Sequence, residues 1–120
     1  MTVPAHRDFV ASIRAIARSS AVLADLSLDD VEELQIAVDE AATLLLPLVD
    51  PDAKWLTARF DIERGAVTIG LSLHCRAGQT LDRSGLAWLM LTAIDPNLVV
   101  LEDGGVVTVT ISHARSDATT

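Results

Sequence analysis

Ser27 to Leu46 reads SLDDVEELQIAVDEAATLLL, and its periodicity decides the fold. Val31, Leu34, Val38, Ala41 and Leu45 recur at alternating spacings of three and four, which places them on one stripe of an α-helix. Glu33, Ala37, Glu40 and Leu44 line a neighbouring face. Ser27 is suited to be the N-cap, and Asp30 follows three residues later, a capping box with Asp in place of Glu. Leu26 and Val31 are placed to staple around it. Asp29, Asp30, Glu32 and Glu33 suit the positive end of the helix dipole. Pro47 closes the helix at about Leu46.

Upstream, His6 to about Ala24 has a second helical pattern, with Phe9, Ile13, Ile16, Ala17 and Ser20 as the expected buried stripe. Arg7, Arg14 and Arg18 fall on another side. Met1 to Val3 is the expected stub of an edge strand. Downstream of the Asp50-Pro51-Asp52 turn the period changes to two. Trp55–Ile62 and Ala66–Leu73 are expected as strands of an antiparallel hairpin joined through Glu63-Arg64-Gly65. A polar loop from Arg76 to Ser84 leads to an almost wholly apolar helix, Leu86–Ile94. Leu98–Leu101 and Val106–Ser112 form a second hairpin, and residues 113–120 a frayed tail. Two helices, a hairpin, a helix and a hairpin make an α+β protein. The expected architecture is a two-layer α/β sandwich, with helices on one face of a mostly antiparallel sheet.

The chain has 120 residues and a formal net charge of −8, so one domain spanning 1–120 is expected and a nucleic-acid-binding role is disfavoured. Half of the residues are hydrophobic, enough for a core, but only two Phe and two Trp are present. Leu, Val, Ile and Ala must therefore fill it. Cys75 is the single cysteine, which excludes an internal disulfide. No signal peptide is visible. The longest apolar run, Leu86–Ile94, is too short to span a membrane, so a soluble, cytoplasmic protein is expected.

No metal ligand set is expected, because His6, His74 and His113 are scattered without ligand spacing. His74 and Cys75 are adjacent on a strand and point to opposite faces. No serine lies in a G-x-S-x-G elbow.

The segment LQIAVDEAATLLL, residues 34–46, with Asp39-Glu40 before Ala-Ala-Thr, resembles the N-box helix of the anti-sigma regulatory serine kinases within the GHKL ATPase superfamily. Arg83 to Met90 is similar to the family's Gly-x-Gly segment that closes a nucleotide lid. Asn97 to Ser112 is similar to its closing hairpin, with Gly105 at the Gly-Thr step, and Thr2 to Ala5 to the end of its first strand. The resemblance covers nearly the whole chain. It implies a GHKL-type sandwich, Glu40 as the base of an active kinase, and nucleotide contacts at Ser84, Gly85, Leu86 and Gly105.

The departures bear on that chemistry. The magnesium-binding Asn of the family, four residues after the Glu, is Leu44 here, which offers no oxygen to a hard cation. The adenine-binding Asp aligns with Cys75 and its following Gly with Ala77. The second lid glycine is Ala87, and the Thr of Gly-Thr is Val106. Phosphoryl transfer depends on positioning and charge neutralisation, so these losses lead to an expectation of no cofactor, with ATP and magnesium as the alternative. An anion can still bind the free N–H groups at Ser84 to Ala87.

The expected function is that of an anti-sigma-like regulator, binding a sigma factor or an anti-anti-sigma protein by surface contact. The alternatives are a divergent serine kinase and a non-catalytic homodimerisation module. Seven acids and no base lie between Asp25 and Glu40, an acidic face for a basic partner. Asp29, Asp30 and Glu33 on that face, and Arg7, Arg14 and Arg18 on the first helix, are the candidate partner contacts.

Overall fold

The structure is a computed structural model, and it describes residues 1–115. Five strands form one antiparallel sheet in the order β1-β2-β3-β5-β4. They are β1 (Thr2–Pro4), β2 (Trp55–Glu63), β3 (Ala66–His74), β4 (Val99–Asp103) and β5 (Val106–Ala114). Helices α1 (Val10–Leu23), α2 (Leu28–Leu45) and α3 (Leu86–Ile94) make the second layer. The protein is thus a two-layer α/β sandwich, as expected from the order of elements.

The alternation of each strand decides which side of the sheet is covered. Val67, Ile69, Leu71 and Leu73 of β3 lie opposite His113, Ile111, Val109 and Val107 of β5, and all eight are buried. Thr68, Gly70 and Ser72, opposite Ser112, Thr110 and Thr108, form the other face. Leu56 and Ala58 extend the buried row onto β2. Each hairpin reverses through residues suited to a tight turn. Gly104 and Gly105 have φ of 60° and 80°, in the left-handed region that a residue without Cβ adopts at no steric cost.

Helix α2 occupies the middle of the helical layer and packs on both α1 and α3. Its expected stripe, Val31, Leu34, Val38, Ala41 and Leu45, is buried throughout. Ser27 caps it, its Oγ accepting the Asp30 N–H at 3.1 Å.

Two boundaries differ from expectation. The first helix opens with a 3-10 turn at Arg7–Phe9. Its buried stripe is Val10, Ile13, Ala17, Ser20 and Ala21, while Phe9 and Ile16 are exposed. Ile13, Ala17 and Ser20 are buried as expected, and Ser20 satisfies its hydroxyl on the Ile16 carbonyl at 2.7 Å. Second, β5 continues through His113 and Ala114, which were expected in the tail. Both pair with β3, and the Arg115 N–H reaches the Gly65 carbonyl at 2.7 Å. The remainder of that tail, 116–120, lies outside the described residues. Helix α3 has the expected bounds, and within it only Leu91 is fully buried while Leu86 and Leu89 stand in solvent.

Candidate functional site

Two residues of α2 bear on the N-box chemistry, Glu40 as a match to the pattern and Leu44 as a departure from it. Glu40 is half-buried. Leu44, one turn later, is 6% exposed and belongs to the apolar core. A leucine here gains by burial, and its side chain contributes packing where the resemblance calls for a metal ligand.

The end of β3 is held from two sides. Cys75 donates its N–H to the Gly105 carbonyl at 2.7 Å, and Arg76 donates its own to Leu48 at 2.7 Å. Beside this clamp lies a cavity of about 220 Å³, lined by Cys75, Arg76, Gly78, Gln79, Gly104 and Gly105. The Cys75 thiol lies 3.3 Å from the Arg76 carbonyl and 3.4 Å from the Gln79 carbonyl. The loop's own main chain thereby engages the thiol that stands where the resemblance calls for an adenine-binding Asp.

Ser84, Gly85 and Leu86 come together at the start of α3, in a hollow they share with Arg83, Trp88 and Leu89. Gly105 lines the other cavity, so the four expected nucleotide contacts are divided between two places. Asp82 accepts the Ser84 N–H at 2.9 Å and its hydroxyl at 2.6 Å. The carboxylate also sits against Gly85, where an added Cβ would meet Asp82 Oδ2 at 3.2 Å. The Ser84 hydroxyl first, and then its N–H, hold the Asp82 carboxyl below its ordinary value of 3.8. An anion supplied by the chain already uses one of the donors expected to bind phosphate. The Arg83 guanidinium lies over the Trp88 ring, 5.1 Å from its centre.

The expected partner contacts divide by exposure. Arg7, Arg18, Asp29 and Glu33 are exposed. Arg14 is half-buried, with Nη1 2.6 Å from Asp39 Oδ1, an ion pair joining α1 to α2. Asp30 is a correction: at 1% exposure it is interior and is not part of an acidic surface. Its Oδ2 accepts the Ser27 hydroxyl at 2.8 Å, and Oδ1 lies 3.0 Å from His113 Nε2. Glu33 Oε2 is 3.5 Å from the same nitrogen. His113 was missed as a member of any cluster. The signal for it is the alternation Val107, Val109, Ile111, which carries residue 113 inward and obliges a buried imidazole to find a polar partner.

Three helices on one face of a five-stranded antiparallel sheet define the class of the protein as a two-layer α/β sandwich. Among the described residues no helix is long and apolar enough to cross a membrane. No family model matches the chain. Two curated relatives from Mycobacterium tuberculosis are similar to it, both named anti-sigma-F factor RsbW, one from strain CDC 1551 / Oshkosh and one from strain ATCC 25618 / H37Rv. Each is 28% identical over 104 residues, which is 87% of this chain and 61% of the relative. The chain therefore spans less than two thirds of the length of these relatives. The similarity supports the anti-sigma resemblance carried by residues 34–46 and 83–112.

Proposed function

We propose that this protein is an anti-sigma regulator that acts by binding and performs no phosphoryl transfer. The observation that carries the non-catalytic part is the placement of Leu44 in the core, at the position where the resemblance requires a magnesium ligand. Cys75 at the adenine position and Asp82 on the Ser84 N–H support the same reading. The similarity to two anti-sigma-F factors supports a sigma factor as partner.

The mechanism is occlusion. A net charge of −8, with Asp29, Glu32 and Glu33 exposed at the start of α2, attracts a basic DNA-binding module and accelerates encounter. Apolar side chains then supply contact area, and the exposed Leu86 and Leu89 of α3 are suited to this. Nucleic acid competes for the same basic sigma surface and is excluded. Exchange of the sigma factor for an anti-anti-sigma protein, in the cytoplasm, completes the cycle.

Two measurements test this reading. Sigma factors of the host are titrated against the purified chain, and at least one is expected to bind and lose promoter recognition. Calorimetry with Mg-ATP is expected to give no heat at millimolar nucleotide. Magnesium-dependent phosphorylation of an antagonist, abolished by Glu40→Gln, would overturn it in favour of a kinase. A stable homodimer that takes up no sigma factor would leave only a dimerisation module.

A further inference from the structure

The proposed function leaves unused a nearly buried imidazole that faces two carboxylates. His113 is the last inward residue of β5, and its side chain is 10% exposed. Its Nε2 lies 3.0 Å from Asp30 Oδ1 and 3.5 Å from Glu33 Oε2. Asp30 and Glu33 are three residues apart on α2 and share one helix face. The three potential ligand atoms all lie within 4.8 Å of one another.

These separations have a chemical meaning. Zinc binds nitrogen and carboxylate oxygen at about 2.0–2.2 Å in a tetrahedron, so its ligand atoms stand roughly 3.3 Å apart. The two distances to His113 Nε2 fall on either side of that value. The Ser27 hydroxyl donates to Asp30 Oδ2 at 2.8 Å and leaves Oδ1 directed at the imidazole. Hydrogen bonds of this kind orient ligating carboxylates and hold a metal site in shape. One imidazole with two carboxylates suits zinc better than calcium or magnesium, which favour all-oxygen shells of six or more ligands.

We propose that Asp30, Glu33 and His113 form a binding site for a divalent transition-metal ion, zinc by its chemistry. The Glu33 side chain is 51% exposed, so the site opens to solvent on that side and water completes the shell. Binding uses the Nε2 lone pair, so the ring proton resides on Nδ1. The ion neutralises two acids at the start of α2 and joins that helix to the end of the last strand. The site shares Glu33 with the acidic start of α2, and its test reads metal uptake alone, with no partner present.

The metal-stripped 120-residue chain is titrated with zinc by calorimetry and with cobalt(II) by visible absorption. One equivalent is expected to bind, with a d–d band of a site containing nitrogen and oxygen and a rise in melting temperature. Glu33→Gln, at an exposed position that leaves the fold intact, is expected to weaken zinc by roughly tenfold or more. Cys75→Ser and His74→Ala are expected to leave the affinity unchanged. Absence of saturable uptake, uptake indifferent to Glu33→Gln, or uptake abolished by Cys75→Ser would each overturn the proposal.

Discussion

Asp30 and His113 lie 83 residues apart in sequence and 3.0 Å apart in space. The pair joins the first turn of α2 to the last turn of the sheet's alternation. Asp30→Ala leaves the buried imidazole without its carboxylate and removes the acceptor of the Ser27 hydroxyl. It is expected to cost about 3 kcal/mol, in the range for breaking a buried pair by removing one partner. The exposed neighbour substitution Asp29→Ala is expected to stay within about 0.5 kcal/mol. Urea unfolding of both variants, with chelator present, checks the contrast.

Leu44→Asn restores the residue type that the N-box resemblance expects. The side chain is 6% exposed, so the amide enters an apolar core and loses packing. A destabilisation of about 2–4 kcal/mol is expected. The variant is expected to gain no affinity for Mg-ATP, because Cys75 and Asp82 remain where they are. Micromolar nucleotide binding by Leu44→Asn would show that one ligand suffices to recover the cleft.

The Asp82 carboxyl has its folded pKa below 3.8. A depressed carboxylate contributes stability that is fully present above the unfolded value and is lost as pH falls through the folded one. The loop before α3 is therefore expected to loosen only in strong acid, below pH 3.8. A carboxyl titration followed by NMR, with Ser84→Ala as control, is expected to return Asp82 towards its ordinary value in the variant.

Leu89 is 64% exposed on α3, and Asp29 is exposed on α2. Leu89→Asp is expected to change stability by no more than about 0.5 kcal/mol and to accelerate dissociation of a bound sigma factor. Asp29→Arg is expected instead to slow association, with a smaller effect at high salt. Stopped-flow kinetics separate the two. An unchanged dissociation rate in Leu89→Asp would remove α3 from the interface.

Local chemistry was legible in the sequence, and distant partnership was not. Ser27 announces its own helix, since a cap is a matter of three residues, and the 3-4-3-4 row from Val31 to Leu45 is buried as its spacing requires. The acid-rich start of α2 misled at Asp30, because burial there depends on a histidine contributed by the far end of the chain. On α1 the expected Ile13, Ala17 and Ser20 are buried, but Val10 and Ala21 take the places given to Phe9 and Ile16, because hydropathy alone does not fix the edge of a helical stripe. Helix α3 is apolar all round, so its pattern could not say which side faces inward, and the structure turns Leu91 in and Leu86 and Leu89 out. The candidate nucleotide contacts were read along one line of sequence, whereas Gly105 and Ser84 line separate hollows.

The strand order has a consequence for how the protein is made. β5 is the final strand in the chain, yet it lies between β3 and β4 and pairs with both. During translation the outer edge of β3, with Val67, Ile69 and Leu71 behind it, stays open until residues 106–114 have left the ribosome. An unpaired apolar edge of this kind invites association with other chains. A nascent protein stalled after α3 therefore exposes an unpaired strand edge backed by apolar side chains.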